Sequence, residues 1–391
     1  MEKPIEIREE LAGLEAAISE SFDFTEYTRD PQGRYVEYLV DPKPGVDLEE
    51  GFSKVYDRAV ELGYYVILTK TGSTLVLRAF LNPRELKNRK RTMATALFIA
   101  TIFSVGVTGY LQTVTYNDIA RRLHSLGVNV PLYNPAMGAL IFTAAVLIPI
   151  LAHELGHFLV ARKTSTPASF PLPIPAPIIS PLGTFGAIIQ MRHLPKRIKD
   201  LAYLGIAGPL VGVALAIVFF TTSYMISPAI SLSSARVAMS HRLLAPVQMA
   251  PLATLIVSSV ASHLMGFGER VVIMNPAAYA AFLILLIHFA NLLPIGQLDG
   301  GHVFRSLTNV KVHRVISLIS TLSLVSVSFI AYQLSWLGFF AVIAFMLTGL
   351  RPHYGSANML SKLKRRDKLL VGSAYIILLI LTAPIPVPAS L

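Results

Sequence analysis

The chain has 391 residues, of which 53% are hydrophobic and 15% charged, a balance that excludes a soluble globule with one large core and points to a polytopic membrane protein. It contains no cysteine, so disulfides and thiolate metal sites are excluded, and any metal must be held by His, Asp or Glu. The formal net charge of +11 would suggest nucleic acid in a soluble protein, but in a membrane protein the positive-inside rule accounts for it and no nucleic-acid partner is needed.

Residues 1–90 read as a small soluble α+β domain. The first eight residues are acidic and polar, unlike a cleavable signal peptide. Residues 5–19 carry Ile7, Leu11, Leu14 and Ile18 at helical spacing. Residues 35–40 read as a strand between Gly33 and Asp41-Pro42, and residues 48–62 as a helix closed by Gly63. Residues 64–69 and 74–79 read as a hairpin around Gly72. This β-α-β-β unit holds no recognisable catalytic motif.

Residues 91–310 read as a membrane-embedded core, and residues 311–391 as additional C-terminal transmembrane helices. Apolar spans are expected near 92–114, 136–161, 201–224 and 277–293. Residues 315–350 are long enough for two more, with a turn near 333–336, and a last span covers 369–383, giving seven. Residues 251–265 are apolar but contain Ser258, Ser259, Ser262 and His263, and read as an external surface helix or re-entrant helix. Pro-rich residues 167–181 suit an extended loop, and residues 182–190 have strand propensity. That strand reads either as a packed connector or as an edge that pairs with an unwound substrate. After residue 86, 19 Lys and Arg fall in loops assigned inside and five in segments assigned outside. The asymmetry places the amino terminus and the inner ends of the second and fourth spans in the cytoplasm of a multi-pass cell-membrane protein.

The motif His153-Glu-Leu-Gly-His157 lies inside the second span. Its two histidines, four residues apart, share one helix face, so both imidazoles can take corners of a zinc site while Glu154 reaches the attacking water as general base. Ionisable groups inside a membrane are costly unless used or paired. Of 23 acidic residues, 17 lie before residue 91; of the other six, only Glu154 and Asp299 fall within or against apolar spans. His153 stands about nine residues, or roughly 14 Å, from the inner end of its helix. Pro149 precedes it by one turn and is expected to kink the helix.

The fourth span also runs outside to inside, and breaks at Asn291-Leu-Leu-Pro294 shortly before Asp299-Gly-Gly301. The two motifs can meet at one depth, with Asp299 as third metal ligand and one coordination position left open, the catalytic pattern. Asn291 can then hold the substrate main chain or the developing oxyanion. The bland alternatives are a helix-end turn at Asp299-Gly-Gly and an ordinary kink at Asn291. His288 reads as a hydrogen-bonded bundle residue, His193 as a loop residue, and His302 as facing the membrane interface. Gly205, Gly208 and Gly212 have close-packing spacing in the third span.

His153-Glu-Leu-Gly-His157 and Asn291-Leu-Leu-Pro-Ile-Gly-Gln-Leu-Asp299-Gly-Gly301 resemble the paired signatures of the site-2 protease family of intramembrane zinc metalloproteases. Leu182-Gly-Thr-Phe-Gly186 and Ala207-Gly-Pro209 resemble the connector and third core helix of its plastid and cyanobacterial branch. The resemblance covers residues 91–310 and implies that His153, His157 and Asp299 bind Zn2+, that Glu154 is catalytic, and that transmembrane protein substrates are cut within the bilayer. Neither a PDZ insertion nor a CBS domain is recognisable, and His302 stands where many members have Arg. The rival reading is a non-proteolytic metal-binding membrane protein, a transporter or chaperone-like pseudoprotease; a transporter would spread polar groups along a path, whereas here they gather at one depth.

Overall fold

The computed structural model describes residues 4–30, 35–81, 89–189, 191–268, 270–330, 335–346 and 352–387. It begins with α1 (Pro4–Ser21), β1 (Phe22–Arg29), β2 (Tyr35–Pro42), α2 (Leu48–Glu61), β3 (Tyr64–Thr71) and β4 (Thr74–Leu81). The strands form one antiparallel sheet in the order β1-β2-β4-β3. Alternation along β2 and β3 sends Val36, Tyr38, Val40, Tyr64, Val66 and Leu68 to one face, where they pack on Leu14, Ile18, Phe52 and Tyr56 of the helices. Asp47 caps α2 by accepting from the Glu49 and Glu50 amides. Gly72, at φ +62°, sits in the two-residue turn between Thr71 and Thr74. The sequence reading omitted β1, which leaves α1 without a break and pairs along β2.

The chain continues with α3 (Arg89–Ser125), α4 (Pro135–Lys163), β5 (Leu172–Pro175), β6 (Thr184–Ile188) and α5 (Ile198–Met225). Then come β7 (Ala229–Ser231), α6 (Leu232–Ser240), β8 (Met249–Pro251), α7 (Leu252–Leu264), β9 (Arg270–Val272), α8 (Pro276–Leu292) and α9 (Asp299–Leu307). The last elements are α10 (Val310–Ile330), α11 (Ser335–Ala344), α12 (Arg365–Thr382) and β10 (Pro384–Pro386). Among the described residues four helices are long and apolar enough to cross a membrane: Thr92–Ser125, Pro135–Lys163, Ile198–Met225 and Val310–Ile330. α7 and α8 are shorter apolar helices. Of the turn expected near 333–336, residues 333 and 334 lie outside the described residues, and Ser335 and Trp336 open α11.

α3 runs well past residue 114. Its polar end is held by Tyr116, Ala120 and Leu123, which pack on Val128, Val130, Ile230 and Ala235, so tertiary burial extends a helix that hydropathy alone would stop. Pro149 lies inside α4, which is one helix from Pro135 to Lys163. The central core joins Val146 and Ile150 of α4, Leu201 and Val213 of α5, Ile284 and Leu285 of α8, and Val371 and Tyr375 of α12. Gly156 lets α4 approach α5 closely: a β-carbon there would stand 2.7 Å from the Ala207 carbonyl oxygen.

The Pro-rich loop is partly ordered as strand. β5 and β6 form a two-stranded antiparallel hairpin, with Leu172 opposite Ile188 and Pro175 opposite Thr184. Gly183, at φ +76°, fits against α3, where Ser104 donates to its carbonyl at 2.6 Å.

The N-terminal sheet is fastened to two later segments of the chain. Leu68 of β3 donates its amide to Ala357 and accepts from Met359, at 2.9 and 3.1 Å. Ala357 and Asn358 in turn donate to the carbonyls of Pro195 and Lys196. The Tyr56 hydroxyl donates to the Leu194 carbonyl at 2.9 Å. Lys196, 8% exposed, donates to both carboxylate oxygens of Asp57 at 2.6 and 2.7 Å. His193 is a loop residue, as expected, and is held there: its ring stacks between Tyr56 and Tyr65, with centroids 5.4 and 4.7 Å away, and its Nε2 donates to the Val66 carbonyl. Burial in this stack, partly offset by the Val66 hydrogen bond, pushes the His193 pKa down to about 4.

Candidate metal centre

His153, Glu154 and His157 lie on α4 as the helical period requires, and all three are buried. Asp299 is the first residue of α9, reached from α8 through an extended break. α8 ends at Leu292, Leu293 is extended with ψ 143°, and the Tyr375 hydroxyl takes the carbonyl of Leu292 at 2.8 Å. The freed Gly296 amide donates to Ser317. The two glycines after Asp299 have a packing role. A β-carbon on Gly300 would stand 1.9 Å from the Leu292 carbonyl oxygen, and one on Gly301 2.4 Å from that of Gly296. The Asp-Gly-Gly run is therefore a helix start folded tightly onto the preceding break.

This fold brings the two motifs together. His153 Nε2 lies 3.1 Å from Asp299 Oδ2, and His157 Nε2 lies 3.2 Å from Asp299 Oδ1. The two imidazole Nε2 atoms are 3.0 Å apart. One ligand atom from each of the three residues lies within 4.8 Å of the others, and among the described residues this is the group of three able to hold a metal ion. His157 Nδ1 donates to the Leu204 carbonyl at 2.7 Å, which fixes the ring and leaves Nε2 as the inward atom. His153 Nδ1 is buried without a hydrogen-bond partner.

α5 makes the room. β-Carbons on Gly208 and Gly212 would stand 2.1 Å from His157 Nε2 and from His288 Nε2, and one on Gly205 2.9 Å from His302 Cβ. The glycine spacing was legible in the sequence as close packing; what it packs against, the imidazoles of the centre, was not.

Glu154 and Asn291 line the same cavity, of about 360 Å³, with His153, His157 and Asp299. Phe185, Gly186 and Ala187 of β6 form one wall, and Phe340 and Ile343 of α11 another. Among the described residues β6 has β5 as its one strand neighbour. His302 departs from expectation. It does not face outward but is 6% exposed, lines the cavity and shares a 2.8 Å hydrogen bond with His353, which the sequence reading had not singled out. The polar ring is satisfied inside the fold, so it has no need of the interface.

Two imidazoles and a carboxylate meet here, beside a buried glutamate, as a group able to hold a metal ion. Residues 141–332 match the model of peptidase family M50. The chain is also 28% identical, over 61% of its length, to the probable zinc metalloprotease EGY2, chloroplastic, of Oryza sativa subsp. indica, covering 42% of that protein. The Arabidopsis thaliana protein of the same description is 25% identical over 58% of the chain and 38% of its own length. The probable zinc metalloprotease EGY1, chloroplastic, of Oryza sativa subsp. japonica is 30% identical over 40% of the chain and 26% of its own length. The chain thus spans about two fifths or less of these relatives.

Proposed function

We propose that this protein is an intramembrane zinc endopeptidase that hydrolyses peptide bonds within or near transmembrane helices of substrate proteins. The observation that carries the reading is the convergence of His153, His157 and Asp299 beside Glu154 in one cavity. The residues fit the metal. Zinc bonds to nitrogen and oxygen of about 2.0–2.2 Å at tetrahedral angles set neighbouring ligand atoms roughly 3.3–3.6 Å apart. The three separations here, 3.0, 3.1 and 3.2 Å, lie just inside that spacing. The set is hard to borderline, all nitrogen and oxygen, as a cysteine-free chain requires.

His153, His157 and Asp299 would hold the ion, which supplies Lewis-acid polarisation of the scissile carbonyl and acidifies the attacking water. Glu154 takes a proton from that water on its carboxylate and returns it to the leaving amide nitrogen. The Asn291 carboxamide, on the last turn of α8 and at the cavity wall, donates to the substrate carbonyl as charge develops there. A helical substrate must unwind to expose a peptide bond. β6, with a side free of strand partners and three residues on the cavity, offers main-chain groups that hold the unwound segment.

The remaining organisation follows the sequence reading: a soluble unit over residues 1–90, the protease core over 91–310 and C-terminal helices over 311–391, with seven spans. α8, the segment containing α11, and α12 serve as shorter or less apolar spans beside the four long ones. The basic loops set the N-terminal unit and the active site toward the cytoplasm of a cell membrane, and the partners are single-span membrane proteins and the surrounding lipid.

The test is metal analysis and cleavage of a single-span substrate by the purified full chain. The wild type carries about one zinc per chain and cleaves, Asp299→Ala loses both, and Glu154→Gln keeps zinc but not cleavage. Cleavage that survives Glu154→Gln would overturn the mechanism. A function intact in that variant without any proteolysis would favour a pseudoprotease.

A further inference from the structure

His288 sits on α8 one turn before Asn291 and is 3% exposed. Its Nδ1 lies 2.8 Å from the carbonyl oxygen of Ile284. A carbonyl only accepts, so Nδ1 carries the proton and Nε2 of the neutral ring presents a lone pair. That Nε2 is buried and has no hydrogen-bond partner. His153 Nδ1 is in the same condition. The two rings meet edge to face, with centroids 5.0 Å apart and planes at 76°.

His153 turns its Nε2 toward Asp299 and His157. A ring that gives this lone pair to a metal keeps its proton on Nδ1, which then needs an acceptor. One ring therefore holds a buried donor without an acceptor, and its neighbour a buried acceptor without a donor. Gly212 lies against both residues: a β-carbon there would stand 2.1 Å from His288 Nε2 and 2.9 Å from His153 Cβ.

We infer that His288 is a positioning residue of the metal centre: its Nε2 accepts the Nδ1–H proton of His153, as the Leu204 carbonyl accepts that of His157. The assignment rests on the metalloprotease reading above. It makes the two imidazoles equivalent in design, each with its outer nitrogen tied to a group on a different neighbouring helix. His288 is not among the three residues that would hold the ion.

The probe is Co2+ bound to the full chain in detergent, read by its visible absorption bands and by competition with a chelator. Wild type binds one Co2+. His288→Leu weakens binding by about 10- to 100-fold and shifts the bands, the range expected when the outer partner of a histidine ligand is lost. His288→Gln, whose Oε1 still accepts, recovers most of the affinity. Wild-type affinity and an unshifted spectrum in His288→Leu would overturn the inference. So would equal loss in both variants with one nitrogen fewer around the metal, which would make His288 a ligand. If His288→Leu fails to fold, as judged by metal-free melting, nitrogen-15 spectra of wild-type histidines decide. The resonance lost in His288→Gln must report an Nδ1–H ring, and an Nε2–H ring overturns the assignment. Failure of the wild type to bind Co2+ overturns both this inference and the reading beneath it, whereas loss confined to the variants bears on His288 alone.

Discussion

Gly208 of α5 and His157 of α4 are fitted to each other: a β-carbon on the glycine would stand 2.1 Å from the imidazole Nε2. One turn earlier on the same helix, the Leu204 carbonyl holds the other ring nitrogen at 2.7 Å. α5 thus contributes both an anchor and a vacancy to a centre in which it supplies no ligand. Gly208→Ala is expected to push His157 aside and to lower zinc affinity by about 10-fold or more. Zinc retained after dialysis against a graded chelator series measures it, and an unchanged retention curve would contradict the fit.

Gly300→Ala should be worse for the fold than for any single contact. Its β-carbon would meet the Leu292 carbonyl oxygen at 1.9 Å, backbone against backbone, so neither side has a flexible end to yield. Overpacking of this kind costs about 1–3 kcal/mol or more, read as a lower melting temperature of the metal-free protein. The same change at Gly45, where nothing stands within 4 Å, but φ is +82°, costs only the local backbone strain, about 1 kcal/mol.

Asp57→Asn strands the buried Lys196 ammonium. A fully buried pair broken on one side costs about 3–5 kcal/mol. The Asp57 side chain is 41% exposed, so water screens the loss, and about 1–2 kcal/mol is expected. Protease accessibility of residues 1–81 in the intact protein should rise accordingly, and the paired replacement Asp57→Asn with Lys196→Met should recover part of the protection.

His193 gives the docked interface a pH dependence. Its folded pKa of about 4 lies below the ordinary value of 6.5, because burial disfavours the imidazolium. Between these values the unfolded chain binds more protons than the folded one. The contribution is complete above pH 6.5 and declines as pH falls toward 4, by at most about 1.4 kcal/mol per pH unit. Melting temperature followed from pH 7 to 4.5 should fall less steeply in His193→Phe, which keeps the stack with Tyr56 and Tyr65.

The legible parts of the sequence were those where one local period carries the chemistry. His153, Glu154 and His157 declare themselves by helical spacing, and α4 delivers them as one buried group. Asp299 was visible as an acid set against an apolar span after a helix break. Other features depend on partners far away in the chain. β1 alternates Phe22 and Phe24 with the polar Asp23 and Thr25, but its pairing with β2 is what makes it a strand. β5 contains two prolines and reads as loop; it survives as an edge strand because, among the described residues, β6 is its one strand neighbour. His302 and His353 are 51 residues apart, and no local pattern predicts that they bond.

The segment from His353 to Leu360 has a mechanical consequence. At one end its backbone zips onto Leu68 of the N-terminal sheet, and at the other His353 grips His302 on the helix that begins with Asp299. Arg305 tightens the grip by donating to the carbonyls of His353 and Tyr354. One short segment thus ties the N-terminal sheet, through backbone and imidazole hydrogen bonds, to the helix that carries Asp299.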